Sequence, residues 1–355
     1  MDIVTVFVWL LTCIGIAPLD PSTSDGLVDH RSVDELVDYR SVDELVDYRI
    51  VDDLVDGNIL DVLRQAGATT FLSYAERCPW VLHELGSRPG YTVLAPTNNA
   101  FEKIPKVIYD AMNSSAQVTE WYLRYHIVLG VIPRSGMRNN RLVPTAFKPP
   151  QSMNEPVQMM RFNMYTVWNS MLSDPEKVVT ASGSPIVKVD LVASNGVVHI
   201  IDRVIYPIPT GSDMAKYLER EPNYSSLYAA LEAANLTLAL STPAFKPFTL
   251  LAPSNAAFGK LTKAQQDLLK NTTILQQVLT YHVVVGSYYS AAIYEDFQLH
   301  SLEGSTIYFQ QGTGGTSAGG RMVVKVDTTV TNGVVHELDG VMFPPSLNHL
   351  LLNDV

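Results

Sequence analysis

One five-residue stretch of this chain occurs twice. Asn195-Gly196-Val197-Val198-His199 returns as Asn332-Gly333-Val334-Val335-His336. Five residues alone prove little, but two more boxes return in the same order. Residues 92–101 (TVLAPTNNAF) match 249–258 (TLLAPSNAAF), and 123–130 (LRYHIVLG) match 279–286 (LTYHVVVG). Three collinear matches mean an internal duplication, so the two halves share one fold. At 355 residues and 46% hydrophobic, each half is long enough to bury its own core.

The repeat defines a succession of elements. Ile59, Leu60, Val62, Leu63 and Ala66 fit one helical face that Gly67 ends, and a second helical run is expected over 71–85. Residues 91–95 form a short buried strand stopped by Pro96, with Thr97 or Asn98 capping the next helix. The second half reads alike: helical runs over 225–239, a strand over 248–252, Pro253, and a cap at Ser254 or Asn255. Helical patterns over 117–125 and 272–281 lead into the Tyr-His pairs, after which both halves become β-like. Helices first and strands later favour an α+β domain over a parallel α/β sheet. In each Asn-Gly the expectation is a tight hairpin turn with positive φ angles. His199 and His336, alternating with valines, are expected inside. The glycine-rich run 312–320 reads as a flexible hairpin loop. The repeats differ most in residues 134–185, where the first half is longer.

Outside the repeats the chain has another character. Residues 1–17 read as a secretory signal: the apolar run 4–11 is too short to span a bilayer and small residues follow it, although Asp2 stands where a basic residue is usual. Residues 18–57 form an acidic tail in which SVDELVDYR occurs at 32–40 and again at 41–49. A nine-residue period turns successive Val-Leu clusters to opposite faces of a helix or strand, so the tail is expected to stay solvated and mostly disordered. The net charge is −11, yet residues 25–56 alone hold eleven acidic residues against three arginines. The duplicated halves are therefore close to neutral, which argues against nucleic-acid binding. Cys13 leaves with the signal and Cys78 stands alone, so an internal disulfide is excluded and the domains must hold by packing. Cys78 is expected to be a buried small hydrophobe. No later stretch is long and apolar enough to cross a membrane. Four sequons, at Asn113, Asn223, Asn235 and Asn271, are candidate glycosylation sites and support secretion. There is no Gly-x-Ser-x-Gly elbow, no His-Glu-x-x-His, no phosphate loop and no histidine-cysteine cluster, so no enzyme, metal or cofactor is expected.

The three boxes, twice over, resemble the fasciclin-like domain: a strand ending in Pro-[Thr/Ser]-Asn-x-Ala-Phe, a central Tyr-His pair, and Asn-Gly-Val-Val-His running to a proline. The resemblance spans 58–208 and 212–345, with 346–355 as a C-terminal tail, and it implies two tandem domains, each a β-sheet wedge with helices packed along it. It further implies a secreted, extracellular, non-enzymatic protein of cell adhesion or matrix assembly. The partners implied are cell-surface receptors, integrins among them, or matrix proteins, with self-association open. In that family the Tyr-His pair and its aliphatic flanks are implicated in integrin binding. This makes Tyr125, His126, Ile127 and Val128, with Tyr281, His282, Val283 and Val284, the adhesion candidates. The same residues, set between a helix and a strand among apolar neighbours, also describe buried, hydrogen-bonded core positions. The family's acidic-Ile adhesion motif has no clear match; the second half offers Asn271-Thr272-Thr273-Ile274, with a sequon where an acidic residue would stand. A different function class stays open beside adhesion: a secreted carrier of small apolar ligands, held between helices and sheet.

Overall fold

β1 (Tyr91–Pro96) is the axis of the first domain, and its composition follows from its place. It pairs in parallel with β7 (Gly196–Ile201) on one side and antiparallel with β2 (Ile127–Leu129) on the other. A strand covered on both faces needs an unbroken apolar run, and Thr92 to Pro96 are all buried. The computed structural model describes residues 57–149, 157–167, 176–208, 212–241, 247–294 and 297–351. The signal segment, the acidic repeats and the last four residues lie outside the described residues.

The first domain's seven-stranded sheet runs β2-β1-β7-β6-β5-β4-β3, adding β3 (Arg141–Pro144), β4 (Met159–Val167), β5 (Glu176–Ala181) and β6 (Ser184–Ala193). A bridge between Val128 and Thr145 brings the two edges together, so the sheet is nearly closed. Its two faces serve two cores. Val93, Ala95, Val198 and Ile200 point to the helices, while Leu94 and Ile201 point inside with Tyr125 and Phe162. That is the period-2 alternation of a strand read across a closed sheet.

Helices α1 (Ile59–Gln65), α2 (Thr69–Ala75), α3 (Pro79–Ser87), α4 (Asn98–Glu102), α5 (Lys106–Ser114) and α6 (Ala116–Tyr125) pack on the outer side of β1, β7 and the end of β6. Asn58 caps α1, with Asp61 returning a bond to the Asn58 N–H, and Gly67 follows at φ +75°. The run expected over 71–85 is two helices. Pro79 cannot supply an N–H to a continuing helix, so α2 ends before Cys78 and Pro79 opens α3. Cys78 is buried at that corner.

The second domain repeats the plan. Its helices are α7 (Met214–Arg220), α8 (Ser225–Ala233), α9 (Thr237–Ser241), α10 (Asn255–Gly259), α11 (Lys263–Leu268), α12 (Thr272–Tyr281) and the short α13 (Asn348–Leu351). Its strands are β8 (Phe248–Pro253), β9 (Val283–Val285), β10 (Gln298–His300), β11 (Thr306–Gly312), β12 (Gly315–Ala318), β13 (Arg321–Val330) and β14 (Gly333–Leu338). The sheet order is β10-β11-β12-β13-β14-β8-β9, and a Val284–Ser301 bridge nearly closes it.

Two expectations change. The glycine-rich run 312–320 contains β12, paired with both β11 and β13, so it is sheet rather than loop. The Asn-Gly hairpins exist, but shifted by one residue. Ala193 pairs with Gly196 and Val330 with Gly333, so the turns are Ser194-Asn195 and Thr331-Asn332, and neither asparagine has positive φ. Both glycines open their strands. A Cβ on Gly196 would lie 2.2 Å from the Tyr91 carbonyl oxygen, and one on Gly333 1.9 Å from that of Phe248. Close approach of β1 and β8, not turn geometry, demands glycine there. The asparagines tie the hairpins to the helices. Asn195 accepts from the Ile59 N–H at 2.8 Å, and Asn332 from that of Met214 at 2.9 Å.

Candidate functional site

All eight adhesion candidates lie in the core: Tyr125, His126, Ile127 and Val128, and Tyr281, His282, Val283 and Val284, are each at most 4% exposed. In the folded domains their side chains are out of a partner's reach. His126 follows the last turn of α6. Its Nδ1 donates to the Tyr122 carbonyl at 2.8 Å, and its Nε2 accepts from the Ile205 N–H at 3.2 Å. His282 does the same with the Val278 carbonyl at 2.7 Å and the Met342 N–H at 3.0 Å. A carbonyl on one nitrogen and an N–H on the other fix the neutral Nδ1–H tautomer. Burial holds both imidazoles down to about 4.

The second histidine pair adopts the opposite tautomer. His199 accepts at Nδ1 from the Asp190 N–H (3.0 Å) and donates from Nε2 to the Ile132 carbonyl (2.9 Å). His336 does so with the Asp327 N–H (3.3 Å) and the Tyr288 carbonyl (2.8 Å). Burial lowers the pKa of each. Asp190 and Asp327 have φ of 55° and 64°, at the bulges where β6 and β13 slip register. Each histidine is thus a post that bends its outer strand, and the bend aims an aspartate outward.

In the second domain that aspartate joins the two domains. Asp327 pairs with Arg203 of the first domain at 2.6 Å and also accepts from the Ser290 backbone and hydroxyl. Tyr165 on β4 donates to the Ser287 carbonyl at 2.9 Å and accepts from the Tyr289 N–H at 3.3 Å. Asn163 donates to the Ser287 hydroxyl at 2.9 Å. The Tyr289 ring is fully buried against the Ser182-Gly183 turn, where a Cβ on Gly183 would meet it at 2.2 Å. Tyr165 and Tyr289 share an apolar cluster with Ala292 and Val334.

None of these junction residues stands among the sequence-derived candidates. A signal for them exists in the differences between the repeats. After the matched Gly130 and Gly286, the first half continues Val131-Ile132-Pro133-Arg134 and the second Ser287-Tyr288-Tyr289-Ser290. Arg203 aligns with Gly340. The longer segment of the first half supplies β4 and hence Asn163 and Tyr165.

All four sequon asparagines are exposed. Asn271 caps α12 through its oxygen, and Asn223 donates to Glu337 at 3.0 Å. Among the described residues no group of His, Cys, Asp and Glu is arranged to hold a metal ion, and no helix is long and apolar enough to cross a membrane.

Two nearly closed, helix-covered seven-stranded sheets in tandem define a class. The fasciclin-domain profile matches residues 66–207 and 222–344, and the chain belongs to the fasciclin-domain family. It is 27% identical over 289 residues to transforming growth factor-beta-induced protein ig-h3 of Sus scrofa, covering 80% of this chain and 39% of that protein. To periostin of Homo sapiens it is 28% identical over 288 residues, covering 80% and 32%. To the immunogenic protein MPB70 of Mycobacterium bovis it is 30% identical over 150 residues, covering 39% and 77%. The chain thus spans well under half the length of the first two. A solved domain pair from the insect cell adhesion molecule Fasciclin I matches with a TM-score of 0.36 at 20% identity, over 79% of this chain and 99% of that one.

Proposed function

We propose that this chain is a secreted, non-catalytic adhesion or matrix protein that meets its partners through the outer strand faces of its two domains. The observation that carries this is a repeated, exposed Val-Lys-Val stripe. Val187 (53% exposed) and Val189 (39%) flank Lys188 on β6; Val324 (56%) and Val326 (42%) flank Lys325 on β13. Apolar side chains kept in water at equivalent places of two diverged repeats are what a contact surface needs. The Tyr-His boxes, in this reading, act on adhesion only by holding the domains folded. The partners are cell-surface receptors or matrix proteins, and the exposed sequons carry N-linked glycans.

The test is cell attachment to immobilised protein. The quadruple variant V187E/V189E/V324E/V326E is expected to melt like the parent and lose most attachment. His282→Ala is expected to lose about 1–3 kcal/mol of stability, by orphaning the Met342 N–H and the Val278 carbonyl, and to regain attachment on cooling. Full attachment by the quadruple variant would overturn the assignment. The glycan reading predicts a gel shift on N-glycosidase treatment of protein secreted from cells, and none after all four asparagines are changed to glutamine.

A further inference from the structure

Arg161 is a buried cation. It sits on β4, facing the second domain, and is 6% exposed. One guanidinium nitrogen donates to the Thr331 carbonyl at 3.2 Å, and another reaches the Asn140 carbonyl at 3.4 Å. Among the described residues no carboxylate lies within ion-pair distance of it. Among the described residues, the titratable groups around it are the hydroxyls of Tyr289, Tyr165 and Tyr125, neutral at ordinary pH, with burial raising the pKa of each still further. A guanidinium keeps its proton in such a place, and among the described residues two bonds to carbonyls engage only two of its five N–H donors and bring no opposite charge.

Arg161 is also part of the wall of a cavity of about 310 Å³ at the junction of the two domains. The rest of that wall is mainly apolar: Leu142, Pro149, Val157, Met159 and Ile208 from the first domain, Val330 from the second. The other polar residues of the wall are Gln158, Thr329 and Thr331, and Gln158 is already satisfied. Its amide donates to the Ile208 carbonyl and accepts from the Ile208 N–H, both at 2.7 Å. An apolar space with one convergent cation selects a ligand with an aliphatic body and one anionic end. The volume lies at the lower end of the ~300–1,000 Å³ typical of ligand pockets, which suits a short chain and not a long-chain lipid.

We infer that the domain junction is a binding site for a small aliphatic monocarboxylate, its carboxylate on Arg161 and its chain among Leu142, Met159, Ile208 and Val330. This site shares no residue with the Val-Lys-Val stripes and is independent of the adhesion reading. The pocket is built from both domains at once.

Octanoate is the probe, with 1-octanol and acetate as comparators, titrated calorimetrically into the full chain. Octanoate is expected to bind at least tenfold more tightly than either comparator. Arg161→Met keeps the unbranched stem of the side chain and removes the guanidinium head with its charge; it is expected to lower octanoate affinity at least tenfold and leave octanol unchanged. Leu142→Trp, at the half-open rim, is expected to fill the cavity and weaken octanoate without unfolding the domain. Octanoate binding no better than octanol, or unchanged in folded Arg161→Met, would overturn the assignment. Should Arg161→Met fail to fold, Leu142→Trp decides: undiminished octanoate binding there rejects the site.

Discussion

Four buried histidines show how one side chain can serve two structural purposes. His126 and His282 close a helix end against a backbone N–H on the strand side; His199 and His336 hold a bulge open. All are neutral in the folded protein. An unfolded histidine takes up its proton near pH 6.5, whereas His126 and His282 resist it down to about 4. Between those values the unfolded chain binds more protons than the native one, so stability is complete above about pH 6.5 and falls as the pH drops towards 4. Each of the two is expected to account for about 3 kcal/mol over that window. Thermal melts from pH 7.5 to 4.5 should show the midpoint falling below pH 6.5; a flat profile would mean that these imidazoles reach solvent.

Among elements, the hairpins separate two reasons for glycine. Gly320 lies at φ +75° in the β12–β13 turn, and a Cβ there would have no atom within 4 Å, so only backbone strain opposes a side chain. Gly196 has no such angle and is pressed on the Tyr91 carbonyl. Asparagine tolerates the left-handed region, so Gly320→Asn is expected to cost under about 1 kcal/mol. Gly196→Asn, by the same reasoning, gains nothing from that tolerance and is expected to cost about 1–3 kcal/mol or more through overpacking. Urea denaturation of both variants checks the pair. Equal costs would show that conformation, not contact, governs Gly196.

At the level of the two domains together, contacts that cross between them include a buried aromatic cluster, an ion pair and several hydrogen bonds. Tyr165 is central, since it shares a buried cluster with Tyr289 and its hydroxyl bridges the Ser287 carbonyl and the Tyr289 N–H. Truncating a buried aromatic costs about 3–5 kcal/mol. Tyr165→Ala is therefore expected to uncouple the domains, turning one calorimetric transition into two. A single transition at an unchanged midpoint would show that the junction contributes no cooperativity.

The sequence by itself determined the duplication, the α+β class, the strand before each repeated proline and the helix that follows it. These are local matters: periodicity, caps and prolines act within a few residues. It left Tyr125, His126, Tyr281 and His282 between core and surface, because apolar flanks suit a buried post and an adhesive patch equally well. It placed the Asn-Gly turns one residue out, because a neighbour across the sheet is invisible along the chain. Only the tertiary structure decided that Gly196 touches Tyr91, 105 positions away in numbering, that Arg203 meets Asp327, and that Arg161 closes a cavity shared by both domains. Each depends on which surfaces the folded domains bring together, and that is set by packing between distant segments rather than by the preferences of any one of them.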